Sequence, residues 1–107
     1  MAKFLIRASF TRDGIREVLS KAKGSGLRAA VSRFAESAGA KVDAYYFAFG
    51  SEDIIGIIDA PDNVTATAMS VAANTAGFVQ LNVTPLITPE EMDRAVDKSG
   101  SLAVPGR

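Results

Sequence analysis

Apolar and polar positions alternate from Lys3 to Phe10. Phe4, Ile6, Ala8 and Phe10 form one face, and Leu5, Arg7 and Ser9 the other. This period of two predicts a strand with one face on helices. Thr11 then caps a helical layer. Ile15, Val18, Leu19 and Ala22 follow at i, i+3, i+4 and i+7. Gly24-Ser25-Gly26 interrupts the layer. Leu27, Val31, Phe34, Ala35 and Ala38 resume the spacing, and Gly39 ends it. Val42–Phe49 and Ile54–Ile58 are rich in aromatic and β-branched residues, with the turn cluster Gly50-Ser51-Glu52-Asp53 between them. They predict a β-hairpin with so little polar alternation that both faces of its sheet should be covered. Asp62 caps an alanine-rich helix, Val64–Ala76, which Gly77 stops. Phe78–Thr84 alternates again: Val79, Leu81 and Val83 face one way, Gln80, Asn82 and Thr84 the other, and Pro85 marks the exit. Thr88-Pro89-Glu90-Glu91 reads as a capping box opening a last helix with Met92, Ala95 and Val96 on its apolar side.

The predicted order is β-α-β-β-α-β plus a C-terminal helix. That is an α+β, ferredoxin-like split βαβ arrangement with a four-stranded antiparallel sheet. It predicts one domain over residues 1–98 and a loose tail over 99–107. The helices cover one sheet face. The other should carry Leu5, Arg7, Ser9, Gln80, Asn82 and Thr84, together with either Tyr45, Phe47 and Phe49 or Tyr46 and its alternates. Parity does not choose between those two sets. An apolar patch of that size is uncommon on a monomer. The expectation is a two-fold homodimer through this face, with a higher oligomer left open.

Composition changes the picture mainly by exclusion. Among 107 residues there is no cysteine and no histidine. Thiol nucleophiles, thiolate metal sites, a Ser-His-Asp triad and imidazole-ligated zinc or haem are therefore closed to this chain. No cofactor and no metal site is expected. No apolar run reaches the roughly 18–20 residues of a membrane span, and no secretory leader is evident, so the chain reads as cytoplasmic. Formal net charge is zero but unevenly placed. Residues 1–41 hold nine basic groups against three acids, and residues 42–107 hold the reverse. The basic residues are spaced among apolar ones with no run and no nucleic-acid motif, so no nucleic-acid partner is expected.

The segment AYYFAFGSEDIIGIIDAPD, with KFLIRASFTRDGI before it and TPLITPEEMDRAV after it, resembles the GYD-domain family of small bacterial and archaeal proteins. The resemblance spans roughly residues 2–97. It implies a dimeric α/β barrel built from two ferredoxin-like subunits with their sheets together. Relatives of that architecture include cofactor-free monooxygenases, lactone isomerases, haem enzymes and ligand-sensing domains. Of the Gly-Tyr-Asp signature, Gly50 and Asp53 match, and Glu52 stands where the family has its tyrosine.

Four residues are candidates for a ligand site. Arg7, in a central strand of the open face, would hold an anion or pair across a dimer. Tyr45 and Asn82 would orient the molecule. Asp53 would shape the rim or accept a proton, or else bond the turn backbone. The leading reading is a dimeric protein that binds a small organic molecule, anionic if Arg7 holds it, in a cavity by the open sheet face. The alternatives are an interaction module with no small-molecule site and a cofactor-independent enzyme. A divalent-cation site from Glu52, Asp53 and Asp59 is a weaker third reading. Gly56, inside a strand, calls for a bulge or a close approach.

Overall fold

A computed structural model describes residues 1–106, so the final residue of the expected tail, 107, lies outside it. Strand β1 runs Ala2–Phe10, and a π-helical stretch Gly14–Leu19 leads into α1, Ser20–Ser37. Strands β2 (Lys41–Phe47) and β3 (Ile54–Ala60) form the hairpin, followed by α2 (Asn63–Ala76), β4 (Val79–Pro85) and α3 (Pro89–Ser99). The four strands make one antiparallel sheet in the order β2-β3-β1-β4. The fold is α+β and ferredoxin-like. Among the described residues, no helix is long and apolar enough to cross a membrane.

Local chemistry explains the element boundaries. The Thr11 hydroxyl accepts from Gly14 N at 3.1 Å and donates to the Gly77 carbonyl at 2.6 Å, tying the first helical turn to the end of α2. The break expected at Gly24–Gly26 falls one residue earlier, at Lys23, whose φ of 58° lies in the left-handed region. A Cβ on Gly24, the next residue, would come within 3.3 Å of the Phe47 ring. The Asp62 carboxylate accepts from Thr65 N at 2.7 Å and caps α2. Gly77 ends it at φ 82°. Thr88 and Glu91 make the reciprocal capping box of α3. β2 stops at Phe47 rather than Phe49, because the hairpin loop begins earlier and Phe49 stands fully exposed in it.

Phe4, Ile6 and Ala8 of β1, with Ile54 and Ile58 of β3, bury against the helices. Leu81 and Val83 of β4 join that face. Tyr45 pairs with Gly56 and Tyr46 with Ile55, which settles the parity. Tyr45 points to the helices and is only 8% exposed; Tyr46 lies on the open face at 70%. The register of β2 shifts between Val42 and Ala44, a bulge at Asp43. Beside it, a Cβ on Gly56 would come within 2.6 Å of the Ala44 carbonyl. This close approach is the reason for glycine in mid-strand.

Candidate ligand cavity and the two sheet faces

The four residues singled out from sequence divide between two faces and a loop. Arg7 and Asn82 are paired neighbours across β1 and β4, on the open face. The Arg7 guanidinium meets Glu52 at 3.4 Å, a long, partly exposed ion pair. Arg7 therefore already has a carboxylate within its own chain. Asp53 is held by the turn. Its carboxylate accepts from Phe10 N at 2.9 Å, and its backbone bonds Ala8 and Ala48. It stitches the hairpin loop to the end of β1. Tyr45 lies on the opposite face of the sheet from Arg7 and Asn82. The open face therefore brings together Arg7, Asn82 and Glu52, and separates them from Tyr45.

The acids do not gather. Glu52 and Asp53 sit before β3 and Asp59 near its other end, about 20 Å along an extended strand. Asp59 pairs instead with Lys3 at 2.9 Å, and Lys3 also bonds Asp43. Those two carboxylates, Asp43 first, hold the Lys3 ammonium above its ordinary pKa, and Lys3 holds Asp43 below its own. Among the described residues, no three acids are placed to hold a metal ion.

A cavity of about 270 Å³ opens on the helix-facing side. Its floor is sheet: Ile6, Ala8, Tyr45, Leu81. Its walls are Leu27 and Val31 of α1, and Met69 and Ala73 of α2. Tyr45 is the one polar side chain in that lining. Its ring meets Phe47 edge-on, with centroids 5.4 Å apart. Its hydroxyl is buried without a hydrogen-bond partner. Burial pushes the phenol up to about 12, so it stays protonated and can donate a hydrogen bond. The cavity thus offers apolar contact and one neutral donor. Its lining supplies no carboxylate, amine or guanidinium to move a proton or hold an anion.

The model of one family, the GYD domain, matches residues 4–96. The chain belongs to the GYD-domain family. No curated protein and no solved structure matches it. In this GYD-domain chain the start of β3 contributes Ile54 to the cavity, and most of the other lining residues come from the helices and the other strands. In the sequence, Leu27 and Val31 stand only as positions of a helical spacing, and Met69 and Ala73 only as part of the alanine-rich helix Val64–Ala76. Spacing along one helix cannot reveal that two helices stand apart over a sheet. Asn74 also escaped notice: its side chain accepts from Leu81 N at 2.8 Å and donates to the Leu81 carbonyl at 3.1 Å, fastening edge strand β4 to α2.

Proposed function

We propose that this GYD-domain protein binds a small, neutral, largely apolar organic molecule in the cavity between sheet and helices. The observation that carries the reading is Tyr45: a buried hydroxyl with no partner, in the wall of an otherwise apolar cavity. Leaving such a group unsatisfied is unfavourable unless something else supplies an acceptor. A ligand carbonyl, ether or hydroxyl oxygen does so. The volume, near 270 Å³, lies just below the roughly 300 Å³ where drug-sized pockets begin. It exceeds the about 150 Å³ apolar cavity that takes benzene. A single-ring or short-chain molecule fits. The binding role expected of Tyr45 is kept, with the pocket moved to the helix side. In this reading Arg7 meets Glu52 at 3.4 Å and takes no part in the cavity.

The open face serves assembly in this reading. Leu5, Ile55, Ile57 and Tyr46 form its apolar middle, and two such faces packed about a two-fold axis give the dimeric barrel. Native mass spectrometry of the protein from its own host tests both parts together. A dimer carrying a small organic mass is expected, with that mass absent from a cavity-filling Val31→Trp variant. A protein that arrives bare, and shows no binding of indole or toluene by calorimetry, would sink the ligand reading. A monomer would sink the sheet-face dimer.

A further inference from the structure

Helix α3 is well specified and has nothing to pack on. Its N-terminus carries a complete capping box with Pro89 in the first turn, Glu90 and Glu91 beside the positive helix end and Lys98 in the last turn. Met92, Ala95 and Val96 make one apolar stripe at i, i+3 and i+4. Yet every residue of α3 is exposed. The molecule reaches 56 Å in length and has a radius of gyration of 16.8 Å. That exceeds the ~13 Å of a compact 100-residue domain. An isolated helix shorter than about 12 residues is marginal in water, and its stability comes from burying an amphipathic face. The sequence has thus built a helix whose partner surface lies elsewhere.

A matching surface stands on α2. Its 14 residues include no charged side chain. Its outer side nevertheless faces solvent, with Val64 78% and Val71 61% exposed and Ala68 beside them. A helix face meant for water ordinarily carries charge. Electrostatics agree. Glu90, Asp93 and Asp97 lie on one side of α3 at i, i+3 and i+7, three acids to the one base Arg94 there, and none of the three makes an ion pair among the described residues. Arg28 and Arg33 of α1, the helix that shares the sheet face with α2, are likewise exposed and unpaired among the described residues.

We infer that α3 is an exchange arm that lays its Met92–Ala95–Val96 stripe on the uncharged face of α2 in a second copy of this chain. Its acidic flank then lies toward the basic α1 of that copy. Two-fold symmetry makes the exchange reciprocal, so two such seams form per pair. The inference stands apart from the ligand reading, since it uses the outer side of α2 and not the Tyr45 cavity.

The chain has no cysteine, which permits a clean cross-linking test. Val71→Cys and Val96→Cys sit at positions each 61% exposed, so both variants should fold. The two chains, one of them tagged, are co-expressed and then oxidised. A covalent dimer joining tagged to untagged chain is expected from the pair, and not from either variant alone. A double variant that instead closes a disulfide within one chain would overturn the inference, because α3 would then fold onto its own α2. Absence of any cross-link in both experiments would overturn it too. Loss of the sheet-face contact leaves this readout distinct, since disulfide pairing reports α2–α3 contact and not subunit number.

Discussion

Replacing Tyr45 with phenylalanine should make the unliganded protein more stable. The substitution keeps the ring, its edge-on contact with Phe47 and its place in the cavity wall, and removes only a buried hydroxyl without a partner. Burying such a group unsatisfied costs roughly 1–3 kcal/mol. For a chain this size, 1 kcal/mol moves the melting temperature by roughly 4–8 °C. A rise of at least ~4 °C is therefore expected for Tyr45→Phe, with an unchanged urea m-value. Both proteins must be compared ligand-free and at equal concentration, because ligand and assembly each raise apparent stability. The same variant should bind the host-derived ligand more weakly. Alkaline pH supplies an independent sign. The phenol titrates at its ordinary 10.0 when unfolded and at about 12 when folded. Below pH 10 both states keep the proton and stability is intact. As pH climbs from 10 towards 12 the unfolded chain releases its proton first, and roughly 2–3 kcal/mol of stability drains away. Tyr45→Phe should lack that loss. In a Tyr46→Phe background the single phenolate absorbance should rise near pH 12. A Tyr45→Phe protein that melts below the parent would refute the reasoning, because the hydroxyl must then be making a stabilising bond.

Gly56→Ala should lower stability by about 3 kcal/mol, since its Cβ meets the Ala44 carbonyl at 2.6 Å and over-packing typically costs 1–3 kcal/mol; a urea midpoint equal to the parent's would contradict the packing described. Asn74→Ala removes both bonds to Leu81 and should cost about 1–2 kcal/mol, with amide exchange accelerated along β4. Asp53→Ala should cost about 1 kcal/mol by freeing Phe10 N, yet leave ligand affinity unchanged by calorimetry. Ile57→Asp, on the open face, should shift sedimentation equilibrium towards monomer; an unshifted profile would place the dimer contact elsewhere.

Much of the fold was legible because its signals are local. Lys3–Phe10 and Phe78–Thr84 carry a clean period of two, and the register follows it residue for residue. Asp62, Gly77, Thr88 and Glu91 mark helix ends by hydrogen bonds that reach three residues at most. The hairpin was harder. Val42–Phe49 is apolar on both sides, so its parity had to come from pairing across the sheet, and a bulge at Asp43 shifts that pairing midway. Tyr45 and Tyr46 are adjacent and chemically alike, and only Gly56 and Ile55 opposite them decide which one is buried. Asp53 reads from sequence as a rim acid or a turn residue that bonds the backbone, and spacing cannot name the donor it serves, Phe10 N, 43 residues away. The cavity was the least legible feature, being a gap between two helices whose own spacings are ordinary.

The alternation of a strand also limits what chemistry can converge. Arg7 and Asn82 project from one side of the sheet, Tyr45 from the other, and no change of rotamer carries a side chain through the backbone. An anion held by Arg7 therefore cannot also be oriented by Tyr45 of the same chain. The sheet divides its work instead. Its inner face, closed by alanine-rich α2 and by α1, keeps a neutral donor beside apolar walls. Its outer face keeps charges that are paired within the chain, Lys3 with Asp43 and Asp59 and Arg7 with Glu52, although the Arg7 Nε is buried without a partner. Balanced charge around an apolar middle suits contact with an identical face, where unpaired charge would be unfavourable to bury. Glu52 belongs to that pairing. Glu52→Tyr would leave the Arg7 guanidinium without its carboxylate. It should therefore weaken self-association in sedimentation while leaving the affinity of the Tyr45 cavity as it was. Equal self-association in that variant would mean that Arg7 finds its partner across the interface and not in its own hairpin.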